Sequence, residues 1–177
     1  MSDVKFDKKH RLEGFNYSGR GSYMVTFATA NRNPILSEVY SPSEDPRDAK
    51  TRLTSIGCLL EDYIKQIPSH YANVYVDAYV IMPDHVHILL TFADEQIAVS
   101  FEDSRLSKII HALKRMVTKS LGYSVWQADY YDSISFSDKA YDAFLTYIAD
   151  NPIVWLLKHE EPPLPGKKKA PNHTKQP

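Results

Sequence analysis

The chain has 177 residues, 43% of them hydrophobic, with 21 lysines and arginines against 22 aspartates and glutamates and a formal net charge of −1. A chain of this length buries about 70% of its unfolded surface; residues 1–160 read as one domain, and the near-zero total charge excludes a uniformly basic nucleic-acid binder while allowing local basic patches. One cysteine, Cys58, excludes a disulfide scaffold or thiolate metal site, and the charged start and lack of an apolar run near 20 residues lead us to expect a cytoplasmic protein with no membrane partner.

Charge is segregated along the chain. Basic residues gather in Lys5 to Arg20, in residues 101–119 and beyond Lys158, while acid concentrates in Glu38 to Asp48. Residues 22–29 alternate as a strand, ended by a turn over Asn31 to Pro34. After a Ser/Pro/Asp loop at 41–46, Leu53, Ile56, Leu60, Ile64 and Ile67 recur at helical spacing, predicting an amphipathic helix stopped by Pro68. Residues 73–81 and 85–92 read as two strands. The short Met82-Pro83-Asp84 link makes them an antiparallel hairpin.

Residues 104–121 carry the clearest helical pattern. Leu106, Ile109, Ile110, Leu113, Met116 and Val117 share one arc, and Arg105, Lys108, His111, Arg115 and Lys119 share another. No acid occurs in residues 104–120, so the ion pairs of an ordinary solvated helix are missing and phosphate contact competes with simple solvation. The aromatic stretch at 123–135, with Trp126, Tyr130 and Tyr131, predicts an edge strand whose rings pack in the core or stack on unpaired bases. Ser135 or Ser137 caps a third helix over 138–150. Tyr147 and Asn151 lie one turn apart at the edge of its apolar face, and Pro152 is expected to end or kink it there. The Pro/Lys-rich remainder, 161–177, reads as a disordered basic tail.

The most informative segment is His85-Val86-His87. On a strand both imidazoles point to one side, while Val86, Ile88, Leu90 and Phe92 form the apolar side. Two aligned imidazoles make half of a metal site; the alternative is a solvent-facing pair on a half-covered strand. The motif is short, so its meaning depends on what accompanies it.

His85-Val86-His87, then Trp126-Gln127 with Tyr130-Tyr131-Asp132, then Tyr147-Ile148-Ala149-Asp150-Asn151-Pro152 occur in an order that resembles the single-tyrosine HUH transposases of insertion sequences, most closely the REP-associated tyrosine transposases. The likeness runs from Gly14-Phe15-Asn16-Tyr17-Ser18 and Gly21 to Phe27, with Asn31-Arg32, to Asn151-Pro152-Ile153-Val154-Trp155. It departs after Tyr131-Asp132, where relatives often carry a histidine and this chain has Ser133-Ile134-Ser135. The resemblance implies an α+β fold, a ferredoxin-like antiparallel sheet flanked by helices, in a bacterial protein. It further implies that His85, His87 and Asn151 hold a divalent ion, Mg²⁺ or Mn²⁺, and that Tyr147 attacks single-stranded DNA beside hairpins in a homodimer. A non-catalytic hairpin-DNA-binding protein of the same fold is the alternative reading.

Overall fold

The computed structural model describes residues 14–43 and 45–159. In chain order these form β1 (Gly21–Thr29), β2 (Ser37–Tyr40), β3 (Lys50–Leu53), α1 (Ser55–His70), β4 (Val74–Ile81), β5 (His85–Phe92), α2 (Arg105–Leu121), β6 (Trp126–Ser135) and α3 (Asp138–His159). The expected tail and most of the first basic segment lie outside the described residues. The fold is the expected α+β arrangement: an antiparallel sheet in the order β4-β5-β1-β6, with a small β2-β3 hairpin beside it.

Alternation along β5 decides which helix covers which side. Val86, Ile88, Leu90 and Phe92 enter the larger core with Leu60 and Ile64 of α1 and Leu106, Ile109, Ile110 and Leu113 of α2. Leu89 points the other way, into a smaller cluster with Met24, Val80, Met82 and Ile148 of α3. Two layers of helix therefore sandwich one sheet. The helices begin where short polar side chains satisfy free N–H groups: Thr54 accepts from Gly57, Ser104 from Ser107 and Ser137 from Ala140, each at 3.2 Å. Gly122, at φ 81°, closes α2.

Three elements differ from the expectation. The β2-β3 hairpin was not anticipated, because its strands are four residues long and carry charge at Glu38, Lys50 and Arg52. Helix α1 continues two residues beyond Pro68, which sits in the last turn, so the hydrogen bond that the proline cannot donate is lost only near the helix end. Helix α3 runs through Pro152 to His159. Ile148, Pro152 and Leu156 are its buried residues, one per turn, so packing on both sides of the proline offsets the lost bond.

Strand β6 carries an irregularity that α2 repairs. Its register against β1 slips between Tyr130, opposite Phe27, and Trp126, opposite Thr29. The Lys114 ammonium fills the bulge, donating to the carbonyls of Gln127, Ala128 and Asp129 at 3.0, 3.2 and 3.0 Å. Three donors meet three acceptors. Burial pushes the Lys114 pKa down to about 8, which still leaves it charged at neutral pH.

Candidate functional site

The side of the sheet under α3 gathers the polar residues. Val80, His87, Thr26 and Tyr131 stand directly opposite one another on β4, β5, β1 and β6, forming one cross-strand row. His87 is 3% exposed. Its Nδ1 lies 2.7 Å from the Thr26 hydroxyl, while its Nε2 is buried with no hydrogen-bond partner. His85 stands two residues back, its ring edge-on to that of His87 with centroids 4.8 Å apart. The Nδ1 of His85 contacts an Asp84 carboxylate oxygen, whose partner oxygen lies 3.7 Å from the Arg32 guanidinium. Both histidines thus have Nδ1 engaged and Nε2 available.

Helix α3 brings the remaining groups. The Tyr147 ring meets His87 edge-on at a centroid distance of 5.0 Å, and Trp155, two turns later, lies 6.0 Å from His85 and stacks on His159 at 4.2 Å. Tyr147 is 43% exposed, so its phenol sits between the histidines and solvent. Asn151 donates its side-chain N–H back to the Tyr147 carbonyl at 3.4 Å, which leaves its Oδ1 free of hydrogen bonds among the described residues. The structure therefore joins Tyr147, His87 and His85, and places Asn151 one turn beyond.

Burial drives the electrostatics. It pushes the His87 pKa down to about 3, with smaller contributions from the charges of His85 and Arg32, so His87 is a neutral imidazole at physiological pH. For Asp84 burial acts upward, but the hydrogen bond from His85 and the charges of His85 and Arg32 outweigh it and hold the carboxyl below its usual value. A neutral imidazole with an unpartnered Nε2, oriented through Nδ1, has the form of a metal ligand with its outer-shell support. Among the described residues no three His, Cys, Asp or Glu side chains cluster as a metal site. An ion held here needs amide or phosphate oxygen besides the two histidines, and the Asn151 amide is one turn from Tyr147.

The residues expected to contact DNA separate into two groups. Lys108, His111, Arg115 and Lys119 are exposed on α2, on the opposite side of the sheet from Tyr147. Arg115 also lines a largely apolar groove of about 200 Å³ between α1 and α2 with Tyr63, His70 and Tyr71. Arg105, Trp126 and Tyr130 are corrections. Arg105 is 6% exposed and bonds Asp94 at 2.7 Å and the Ser18 carbonyl at 3.1 Å, because it opens α2 against the β1 approach rather than continuing the stripe. Trp126 is buried with its indole N–H donating to the Lys114 carbonyl, and Tyr130 is buried in the larger core. Tyr131, one residue on, faces the histidine side and is partly exposed. Sequence reasoning gave no site role to Thr26, Asp84, Arg32 or Trp155. Asp84 adjoins His85 in the chain, but only the β1-β5 register reveals Thr26.

The fold of the chain is similar to that of a solved structure. No protein-family model matches the chain. It is 24% identical over 164 residues to an uncharacterized protein of Haemophilus influenzae, covering 82% of this chain and 87% of that one. A REP-associated tyrosine transposase solved bound to a REP hairpin superposes with a TM-score of 0.59 at 18% identity, over 87% of this chain and 75% of the other. A candidate transposase from Deinococcus radiodurans aligns over 81% of this chain and 97% of its own at 19% identity, with a TM-score of 0.44. The resemblance read from motif order thus extends to the fold, which is that of the REP-associated tyrosine transposase.

Proposed function

We propose that the protein is a transposase that nicks and rejoins single-stranded DNA beside hairpins, with Tyr147 as nucleophile. The observation that carries this reading is the Tyr147 ring 5.0 Å from His87, whose buried Nε2 has no partner. The fold likeness to a transposase bound to a REP hairpin supports the choice of substrate.

The chemistry follows from the groups. The Tyr147 oxygen attacks the phosphorus in line, forming a phosphotyrosine on the 5′ side as the bond to the 3′ oxygen breaks. The phenolic proton leaves to water and the departing oxygen takes one up as a 3′-hydroxyl. Attack by that hydroxyl, or by another, reverses the step and rejoins a strand. His85 and His87 through Nε2, and Asn151 through Oδ1, would hold Mg²⁺ or Mn²⁺, which would neutralise charge on the scissile phosphate when bound. Asp84 and Thr26 orient the two imidazoles, each through Nδ1. Tyr131 offers a stacking face on the same side, and Lys108, His111, Arg115 and Lys119 offer phosphate contacts on the far side of the sheet.

The test is incubation with a pool of labelled hairpin DNAs bearing single-stranded flanks, in Mg²⁺, Mn²⁺ or chelator, resolved on denaturing gels. A protein-DNA adduct should form with metal, and both chelator and Tyr147→Phe should abolish it. Binding with no adduct from the wild-type chain across the pool would overturn nucleophilic catalysis in favour of a hairpin-binding protein.

A further inference from the structure

Arg32 sits in a turn whose shape a chain does not adopt by default. Asn31 and Arg32 have φ of 55° and 54°, two successive side-chain-bearing residues in the left-handed region. Asparagine tolerates that conformation, but arginine gains nothing local from it, so the surroundings must hold it there. They do so by tying the turn to the residues that precede His85. Thr29 donates its N–H and its hydroxyl to the Asp84 carbonyl at 2.9 and 3.1 Å, and Ala30 donates to Val125 at 2.8 Å.

The result is a guanidinium held at the edge of the histidine pair. Its one ionic contact is with the Asp84 carboxylate at 3.7 Å, beyond hydrogen-bond length, and it donates no hydrogen bond among the described residues. Its side chain is 52% exposed. The fork of donors is therefore available to a ligand.

We propose that Arg32 is a phosphate-binding residue of this site, donating to a non-bridging oxygen of the DNA phosphodiester seated against His85 and His87. The assignment rests on the reading of the site as one that cleaves DNA. A guanidinium matches two oxygens of one phosphate, and hydrogen bonds to them strengthen as negative charge builds on attack. Asp84 would then have two duties, orienting His85 with one oxygen and aiming Arg32 with the other. Backbone strain at Arg32 serves the same end by fixing where the side chain starts.

The experiment compares the wild-type chain with Arg32→Met and Arg32→Lys, using the labelled hairpin pool, with Mn²⁺ affinity measured by calorimetry in the absence of DNA. Arg32→Met should slow adduct formation about 100-fold and lower the slope of log affinity against log salt by about one. Mn²⁺ affinity should stay within about twofold of wild type, because no metal ligand is touched. Arg32→Lys should keep the salt slope and recover part of the rate, which also separates loss of contact from loss of fold. An unchanged rate and slope in Arg32→Met would overturn the proposal. So would a fall in Mn²⁺ affinity that accounts for the whole rate loss, since Arg32 would then act only through Asp84 and His85. If the wild-type chain formed no adduct, the cleavage reading would fail by itself, and the salt slope alone would decide for or against Arg32 as a phosphate contact.

Discussion

The two sides of one sheet have been put to different uses. Under α1 and α2, β5 contributes four fully buried apolar side chains to a continuous core. Under α3 the same strand contributes His85, His87, Leu89 and Thr91, and among the described residues the apolar cluster there has Met24, Val80, Met82, Leu89 and Ile148 as its buried members. A strand can hold both roles because its side chains alternate, so stability can be concentrated on one side while the other keeps polar groups in place. Among the described residues, buried polar atoms are left unpaired on both sides, at Arg105 Nε and Ser107 Oγ of α2 and at His87 Nε2, and the last of these lies beside the partly exposed Tyr147.

That division is breakable. Leu90→Ala, on the thick side, should cost about 2–5 kcal/mol of unfolding free energy in a urea titration, whereas Tyr147→Phe, on the thin side, should leave the unfolding midpoint nearly unmoved. A comparable loss from both would mean the layers do not differ in this way. Neighbouring tyrosines sharpen the contrast further. Tyr130→Ala should lower stability by about 3 kcal/mol without altering hairpin affinity per folded molecule, and Tyr131→Ala should weaken hairpin binding by about 1–3 kcal/mol with little change in stability.

Alkaline pH tests the thick side through Tyr23. Burial, reinforced by the Glu95 charge, pushes its pKa up to about 12, and its hydroxyl donates to the Gly19 carbonyl at 2.7 Å. In the unfolded chain the phenol ionises near pH 10, so the unfolded state sheds the proton first. The stabilisation is complete below pH 10 and is lost as pH rises to about 12, a fall of roughly 2–3 kcal/mol. Tyr23→Phe should flatten that fall. The smallest effect belongs to the outer surface of α2: Lys119→Gln should reduce the salt slope of hairpin binding by about one and leave the adduct rate at saturating DNA unchanged.

Much of this was legible in the chain because periodicity is local information. The His85-Val86-His87 alternation and the placement of Tyr147 at the edge of α3 needed only the geometry of single elements. The arc of Leu106, Ile109, Ile110 and Leu113 likewise gave α2 its core side. What was hidden depended on neighbours distant in sequence. Thr26 reaches His87 only through the β1-β5 register, and Arg105 joins Asp94 rather than the stripe because α2 begins against the Ser18 region. Trp126 and Tyr130 looked interchangeable with Tyr131 until the β6 pairing assigned each a side. Helix α3 overran its proline because residues beyond it pack, which no helix-stop rule can see.

The lysine that fills the β6 bulge makes the molecule its own reporter. With its ammonium wrapped by three carbonyls and the residue 7% exposed, Lys114 is shielded from reagents that acylate surface amines such as Lys119. Its acylation requires α2 to lift from β6. The lag between labelling of the two lysines, read by mass spectrometry, is then a clock for breathing at the seam between helix and strand.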